Sequence, residues 1–195
     1  IPYREGVEFA LTRRDIAVCG QLISIRGVHG EYTDIYLPLH GAHQATNAAI
    51  ALATVEAFVG LKLDDELVRS AFASVISPGR LEILHRDPTV IIDAAHNPHG
   101  AKALAQTLKS EFDFESIFCV LGILGEKDVL GVLNALEPVV DRLIVTMSDS
   151  PRALSVEELF ESALAVFGSE RTFSEANLNS AITYAMEQAT LINPT

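Results

Sequence analysis

The chain has 195 residues, which allows one large domain or a small domain with part of another. Hydrophobic residues make up 49% of it and the mean hydropathy is +0.27, so there is enough apolar surface for a buried core. The formal net charge of −12 argues against non-specific binding to nucleic acids or anionic membranes, because both would repel an acidic protein. A local basic pocket for a nucleotide remains compatible with this charge.

The cysteines and the apolar runs indicate a reducing compartment away from membranes. Cys19 and Cys119 lie far apart and show no CxxC spacing, so we predict free thiols rather than a disulfide. No apolar run approaches the ~20 residues of a membrane span, and no secretory signal peptide is visible. We therefore expect a cytoplasmic protein with no nucleic-acid or membrane partner. The start at Ile1-Pro2-Tyr3, without an initiator methionine, leads us to expect a longer parent protein.

Residues 1–77 are predicted to form a β-rich segment followed by two helices. The strands are predicted at residues 7–11, 16–25 and 35–39 from their β-branched and aromatic content, with a polar break over 31–33. Apolar residues at helical spacing predict one helix over 43–59 and another that begins at Asp64. Ser77-Pro78-Gly79 stops the second helix, and we place a domain boundary there.

Residues 78–195 alternate between strand and helix patterns. The predicted strands are 81–85, 90–93, 117–121, 142–147 and 171–173, and the predicted helices are 98–110, 128–137, 155–167 and 175–189. Ser155 and Glu158 form a capping box for the third of these helices, and Gly168 follows its end. This alternation predicts an α/β, Rossmann-like domain: a mostly parallel sheet with helices on both faces.

The turn between the strand at 90–93 and the helix at 98–110 carries chemically useful side chains. Asp93 ends the strand, Asn97 suits an N-cap, and Pro98 suits the first helical position. This places the Asp93 carboxylate and the His96 imidazole at the carboxyl end of a strand, where open α/β sheets bind ligands. The start of the helix favours an anion there. The alternatives are that Asp93 caps the helix and that His96 only orders its loop.

Four further residues are candidates on position and charge. Lys127 follows the strand at 117–121 and is either a supporting active-site residue or a solvated lysine. Arg152 follows the strand at 142–147 and suits a substrate carboxylate. His43 and Asn47, four residues apart, share a face near the start of their helix, as a surface pair or as ligands. No GxxxxGK[ST] phosphate loop occurs anywhere in the sequence.

Three ordered motifs carry a resemblance to a known family. They are Gly41-Ala42-His43-Gln44-Ala45-Thr46-Asn47-Ala48-Ala49, Pro78-Gly79-Arg80-Leu81-Glu82 and Asp93-Ala94-Ala95-His96-Asn97-Pro98. Together they resemble the ATP-dependent Mur ligase family, and within it the folylpolyglutamate and dihydrofolate synthases. The resemblance covers roughly residues 28–187. It implies that residues 1–77 are the last part of the central ATPase domain. Residues 78–195 would then be the C-terminal domain, whose last strand is either missing or diverged.

The resemblance also implies a reaction and residue roles. The reaction is ATP-dependent addition of glutamate to dihydropteroate or folate through an acyl phosphate, with Mg²⁺ held by the upstream part that carries the phosphate loop. Asn47 would contact the nucleotide base, Arg80 the phosphates and Asp93 the ribose. His96 would contact the transferred phosphoryl group and is the catalytic candidate. We predict no metal ligands in this chain and negligible activity for it alone.

Two other interpretations remain open. One is a Mur ligase that builds peptidoglycan precursors from a nucleotide-sugar peptide; the His43-Gln44 pair and the Arg80-Leu81-Glu82 context favour the folate branch. The other is a non-catalytic nucleotide- or partner-binding module, which the missing phosphate loop supports. An ion pair of Arg80 with Glu82 or Asp87 is the alternative to its phosphate role.

Overall fold

The computed structural model describes residues 3–192, and its contacts divide the chain into two compact units, Ile1–Glu82 and Ile83–Thr195. This division falls a few residues after the boundary at 77/78 that the sequence suggests. The assignment of residues 1–77 and 78–195 to two domains of the family stays a prediction. The prediction that the family's last strand is missing or diverged concerns the end of the chain, of which residues 193–195 lie outside the described residues.

The first unit is a three-stranded antiparallel sheet, in the order β1-β2-β3, with two helices. Its elements are β1 Ala10–Ala17, β2 Gly20–Arg26, β3 Glu31–Leu37, α1 Ala42–Val59 and α2 Asp65–Ala73. Alternate strand residues face one side of the sheet, so Ile23, Ile25, Ile35 and Leu37 form a core with the alanine-rich face of α1. This core holds the helix that carries Asn47.

All three strand predictions in this unit have wrong bounds. Residues 6–8 form a turn, so the strand predicted at 7–11 begins only at Ala10 and continues to Ala17. Residues 16–25 do not form one strand, because Val18 and Cys19, the latter with a φ of 57°, make the turn between β1 and β2. β3 begins at Glu31 rather than at residue 35. Its exposed Glu31 and Thr33 alternate with the buried Tyr32, which is the pattern of a strand with one solvated face.

A buried carboxylate on α1 organises the loops of this unit, and the sequence pattern does not predict it. Glu56 is fully buried, and its carboxylate accepts hydrogen bonds from the Tyr32 hydroxyl at 2.6 Å and from the His29 N–H at 3.0 Å. The Tyr32 oxygen in turn accepts from the Leu63 N–H at 2.8 Å. Burial, followed by the hydrogen bond to Glu56, raises the pKa of Tyr32 to about 12.

The second part of the chain contains two sheets and four helices. The strands are β4 Glu82–Arg86, β5 Thr89–Ile92, β6 Phe118–Leu121, β7 Arg142–Val145 and β8 Thr172–Ser174. The helices are α3 Pro98–Glu111, α4 Val129–Leu136, α5 Val156–Phe167 and α6 Leu178–Ile192. β6, β7 and β8 form a parallel sheet in that order. Two residues, Asp87 and Pro88, separate β4 from β5, which is too short for a parallel crossover. This pair forms a two-stranded sheet of its own.

Helices cover both faces of the parallel sheet. In β7, Leu143 and Val145 belong to the core shared with α3, α4 and α5, whereas Ile144 packs with Ala181 and Ala185 of α6. The predicted α/β architecture is therefore confirmed, with the correction that the five predicted strands form two sheets rather than one.

The capping residues read from the sequence start the helices as predicted. The Ser155 hydroxyl accepts from the Glu158 N–H at 3.3 Å and donates to the Glu158 carboxylate at 2.7 Å. The Asp64 side chain accepts from the Leu67 N–H at 2.9 Å at the start of α2. Gly168, with a φ of 77°, follows the end of α5. These caps confirm the predicted starts of α2 and α5 to within one residue. The last helix, α6, begins at Leu178, three residues after its predicted start.

Neither cysteine forms a disulfide in the described residues, as predicted. Cys19 is exposed in the β1–β2 turn, and Cys119 lies in β6, where burial raises the pKa of its thiol to about 12. Across residues 3–192, none of the helices combines the length and the apolar character needed to cross a bilayer.

Candidate functional site

The loop after β5 carries Asp93 and His96 and leads directly into α3. The Asn97 side chain accepts a hydrogen bond from the Gly100 N–H at 2.8 Å, and Pro98 occupies the first turn. The predicted strand–turn–helix unit, with its N-cap, is therefore confirmed. Asn97, rather than Asp93, caps the helix.

Asp93 and His96 are each oriented by the backbone of their own loop. The Asp93 carboxylate accepts from the Ala95 N–H at 2.8 Å. Nδ1 of His96 lies 2.9 Å from the Ala94 carbonyl oxygen. Because a carbonyl oxygen only accepts hydrogen bonds, Nδ1 carries a hydrogen in this contact. His96 is exposed, and its Nε2 is the ring nitrogen left to face a ligand.

The start of α3 offers fewer open N–H groups than its sequence suggests. Pro98 has none, the Gly100 N–H donates to the Asn97 side chain, and the Ala101 N–H donates to the Asn97 carbonyl at 2.9 Å. Any attraction of an anion to this helix start therefore depends on the helix dipole and on fewer N–H groups than a helix start usually offers.

The loops after β6 and β7, residues 122–128 and 146–155, are joined to each other. The contacts are two backbone hydrogen bonds of 2.9 Å, Gly125 N–H to Arg152 O and Leu154 N–H to Ile123 O, and an antiparallel bridge between Leu124 and Ala153. Because β6 and β7 are parallel neighbours, both loops leave the same edge of the sheet.

Lys127 and Arg152 lie on these joined loops. Nη1 of Arg152 is 3.1 Å from Oε1 of Glu126, and the two side chains are 70% and 45% exposed. Lys127 is half-buried, and among residues 3–192 its ammonium group has no ion-pair partner. The ion pair between Glu126 and Arg152 is a contact that the sequence alone does not reveal.

The first turns of α3 and α4 touch, which brings the Asp93 loop to the same end of the unit as the joined loops. The Asp128 side chain caps α4 by accepting from the Gly131 N–H at 2.9 Å. A Cβ added to Gly131 would lie 2.5 Å from Cγ of Pro98 and would also collide with the Asp128 carboxylate. Only glycine allows so close an approach. One end of the second unit therefore holds Asp93, His96, Lys127 and Arg152.

The other predicted site residues belong to the first unit. Asn47 is exposed on α1, and its amide donates to Gln44 Oε1 at 3.4 Å. His43, one turn earlier, is half-buried and has an interaction partner.

Arg80 is exposed, and in the part of the chain that the structure describes its guanidinium has no ion pair. Glu82, the partner considered for it, instead accepts from the Gly79 N–H at 2.9 Å. The roles of Arg80, Asn47 and His43 stay predictions.

Comparison with known proteins identifies the family. The family described as "Mur ligase, glutamate ligase domain" matches residues 79–191, a span that contains the Asp93 loop and both joined loops. The chain belongs to the Mur ligase family. The dihydrofolate synthase/folylpolyglutamate synthase of Mycobacterium tuberculosis is 56% identical over 186 residues, which are 93% of this chain and 38% of that protein.

Solved structures of Mur ligase relatives agree with this assignment. Folylpolyglutamate synthase of M. tuberculosis complexed with ADP matches with a TM-score of 0.95 and 55% identity, covering 98% of this chain and 43% of that one. E. coli FolC in complex with DHPP and ADP matches with a TM-score of 0.78 and 32% identity, covering 94% and 41%. A bifunctional folylpolyglutamate synthase/dihydrofolate synthase with Mn, AMPPNP and L-glutamate bound matches with a TM-score of 0.75 and 27% identity. The match covers 95% of this chain and 41% of that one. The chain thus spans less than half of each relative.

Proposed function

We propose that this chain is part of an ATP-dependent ligase that adds glutamate to dihydropteroate or a folate through an acyl phosphate. The observation that supports it best is the shared end of the second unit, where an oriented imidazole and a carboxylate lie beside loops that carry Lys127 and Arg152. The relatives' complexes with ADP, DHPP and L-glutamate favour the same reactants here.

The nucleotide would be held by three side chains of different chemistry. Arg80, which has no ion pair among the described residues, suits two phosphate oxygens at once. Asp93 would accept from the ribose hydroxyls, and the Asn47 amide offers the donor and acceptor that an adenine edge needs. ATP supplies the phosphoryl group that converts the substrate carboxylate into an acyl phosphate.

His96 and Arg152 would act on the reacting groups. The His96 ring is fixed by Nδ1, so Nε2 would face the phosphoryl oxygens and donate to them when the ring is protonated. Arg152 would hold the α-carboxylate of glutamate while its amine attacks the acyl carbon and phosphate leaves. Positioning and charge stabilisation of this kind supply most of the catalysis in phosphoryl and acyl transfer.

The magnesium ion expected for this reaction does not fit the described residues. Among residues 3–192, no group of three or more His, Cys, Asp or Glu is arranged to hold a metal. The sequence also lacks a phosphate loop. We therefore assign the metal ligands and the phosphate loop to the part of the relatives' length that this chain does not span, and we expect the chain alone to be inactive. The cytoplasmic location stays a prediction.

Phosphate release by the longer parent protein tests the substrate class. With ATP and glutamate present, we expect release to depend on dihydropteroate or a folate. A nucleotide-sugar peptide with its amino acid serves as the comparison substrate. Release that depended on the nucleotide-sugar peptide and not on dihydropteroate would assign the protein to the peptidoglycan branch and contradict the proposal.

A further inference from the structure

We infer that Glu126 is a positioning residue for Arg152: it holds the guanidinium through Nη1 so that the edge formed by Nε and Nη2 is ready for the carboxylate of incoming glutamate. This inference rests on the proposed function of the Arg152 loop. It assigns a role to a side chain that does not itself touch the substrate.

The contact between the two side chains uses only part of the guanidinium. Oε1 of Glu126 lies 3.1 Å from Nη1 of Arg152, and within residues 3–192 Nε and Nη2 of Arg152 have no hydrogen-bond partner. Nε and Nη2 are parallel donors on one edge of the planar group, which is the geometry that binds both oxygens of a carboxylate. Glu126 therefore leaves a complete carboxylate-binding edge open.

Backbone hydrogen bonds fix the positions of the two residues relative to each other. Gly125, next to Glu126, donates its N–H to the carbonyl oxygen of Arg152 itself at 2.9 Å. The Arg152 N–H lies 3.3 Å from Ser150 Oγ. The backbones that carry the two side chains are thus locked in register, and only the side-chain torsions remain to be fixed by the ion pair.

Fixing those torsions before glutamate arrives reduces the entropy lost on binding. Arg152 is 70% exposed, so without Glu126 its side chain would sample many rotamers. An exposed ion pair contributes little to folding stability, but here it would act on the affinity for one substrate. The effect should appear in the KM for glutamate and not in kcat or in the KM for ATP.

The test uses the full-length ligase with saturating ATP and folate substrate and a range of glutamate concentrations. We expect Glu126→Ala, and Glu126→Asp, which is one methylene too short, to raise the KM for glutamate about two- to fivefold. Glu126→Gln keeps the length and an acceptor oxygen, so its KM should stay near that of the native protein. Glu161→Ala, at an exposed glutamate of α5, is the matched control and should change nothing.

Arg152→Ala separates the inference from the function on which it rests. It should raise the KM for glutamate more than Glu126→Ala does, and adding Glu126→Ala to it should have no further effect, because the two residues act through one contact. If Arg152→Ala raises this KM and the Glu126 variants leave it unchanged or lower it, the positioning role is wrong and the proposed function stands. If Arg152→Ala has no effect, the assignment of Arg152 fails and the inference fails with it.

Discussion

Replacing His96 with alanine should lower the kcat of the proposed full-length ligase about 100-fold, the cost of removing one donor aimed at developing transition-state charge. The loop fixes the imidazole through Nδ1 and the Ala94 carbonyl oxygen, so the ring is already oriented before substrates bind. Alanine removes the donor but leaves the Asn97 cap that starts α3. The KM for ATP should change little, because the other proposed nucleotide contacts remain.

His99, exposed on the first turn of α3, provides the matched control for this substitution. His99→Ala removes the same ring from a position three residues away and should leave kcat near the native value. Steady-state phosphate release with both variants decides the question. A native kcat for His96→Ala would show that the imidazole only orders its loop.

Replacing Glu56 with alanine should cost the first unit about 2–5 kcal/mol of unfolding free energy, because one buried and one part-buried donor lose their acceptor and a cavity remains. These donors are the Tyr32 hydroxyl and the His29 N–H. Urea unfolding followed by amide signals of β1–β3 measures the change. Glu66→Ala, at an exposed glutamate of α2, is the control and should cost only a few tenths of a kcal/mol. An equally small loss of unfolding free energy for Glu56→Ala would contradict the stabilising role of the hydrogen bonds to Glu56.

Tyr32 gives this network a second, pH-dependent readout. Its pKa in the folded protein is raised to about 12, above the ordinary value of 10.0. A raised pKa contributes stability that is fully present below pH ~10 and is lost as the pH rises through the folded pKa. The Tyr32→Phe variant should therefore lose less unfolding free energy between pH 10 and 12 than the native protein does.

The sequence predicts the parts of the site that are set by neighbouring residues. A short β-branched run, an Asn-Pro pair and apolar residues at helical spacing are local signals, and they place Asp93 and His96 between β5 and α3 correctly. The same is true of the capping box at Ser155. Local signals are weaker where the turn residues themselves are not typical of turns. Val18 and Cys19, which form the turn between β1 and β2, are an example.

Contacts between distant residues are the part that the sequence does not predict. The sequence around Glu56 is that of an ordinary exposed glutamate on a helix. Its burial depends on a hydrogen bond from Tyr32, which lies 24 residues away in the chain. The Glu126–Arg152 pair depends on β6 and β7 being neighbours, a matter of strand order rather than of either loop's composition. Asn47 and Arg80 are found by resemblance alone, since an exposed amide and an exposed guanidinium have no distinctive local pattern.

Phosphate release by this 195-residue chain alone, set against release by a longer protein that also carries the phosphate-loop part proposed above, tests most directly whether the site is shared with residues outside the chain. With ATP, glutamate and dihydropteroate, the longer protein should release phosphate in step with amide formation, and the chain alone should release none above background. Turnover by the chain alone that needs all three reactants would contradict the proposal that it carries only one part of a ligase site.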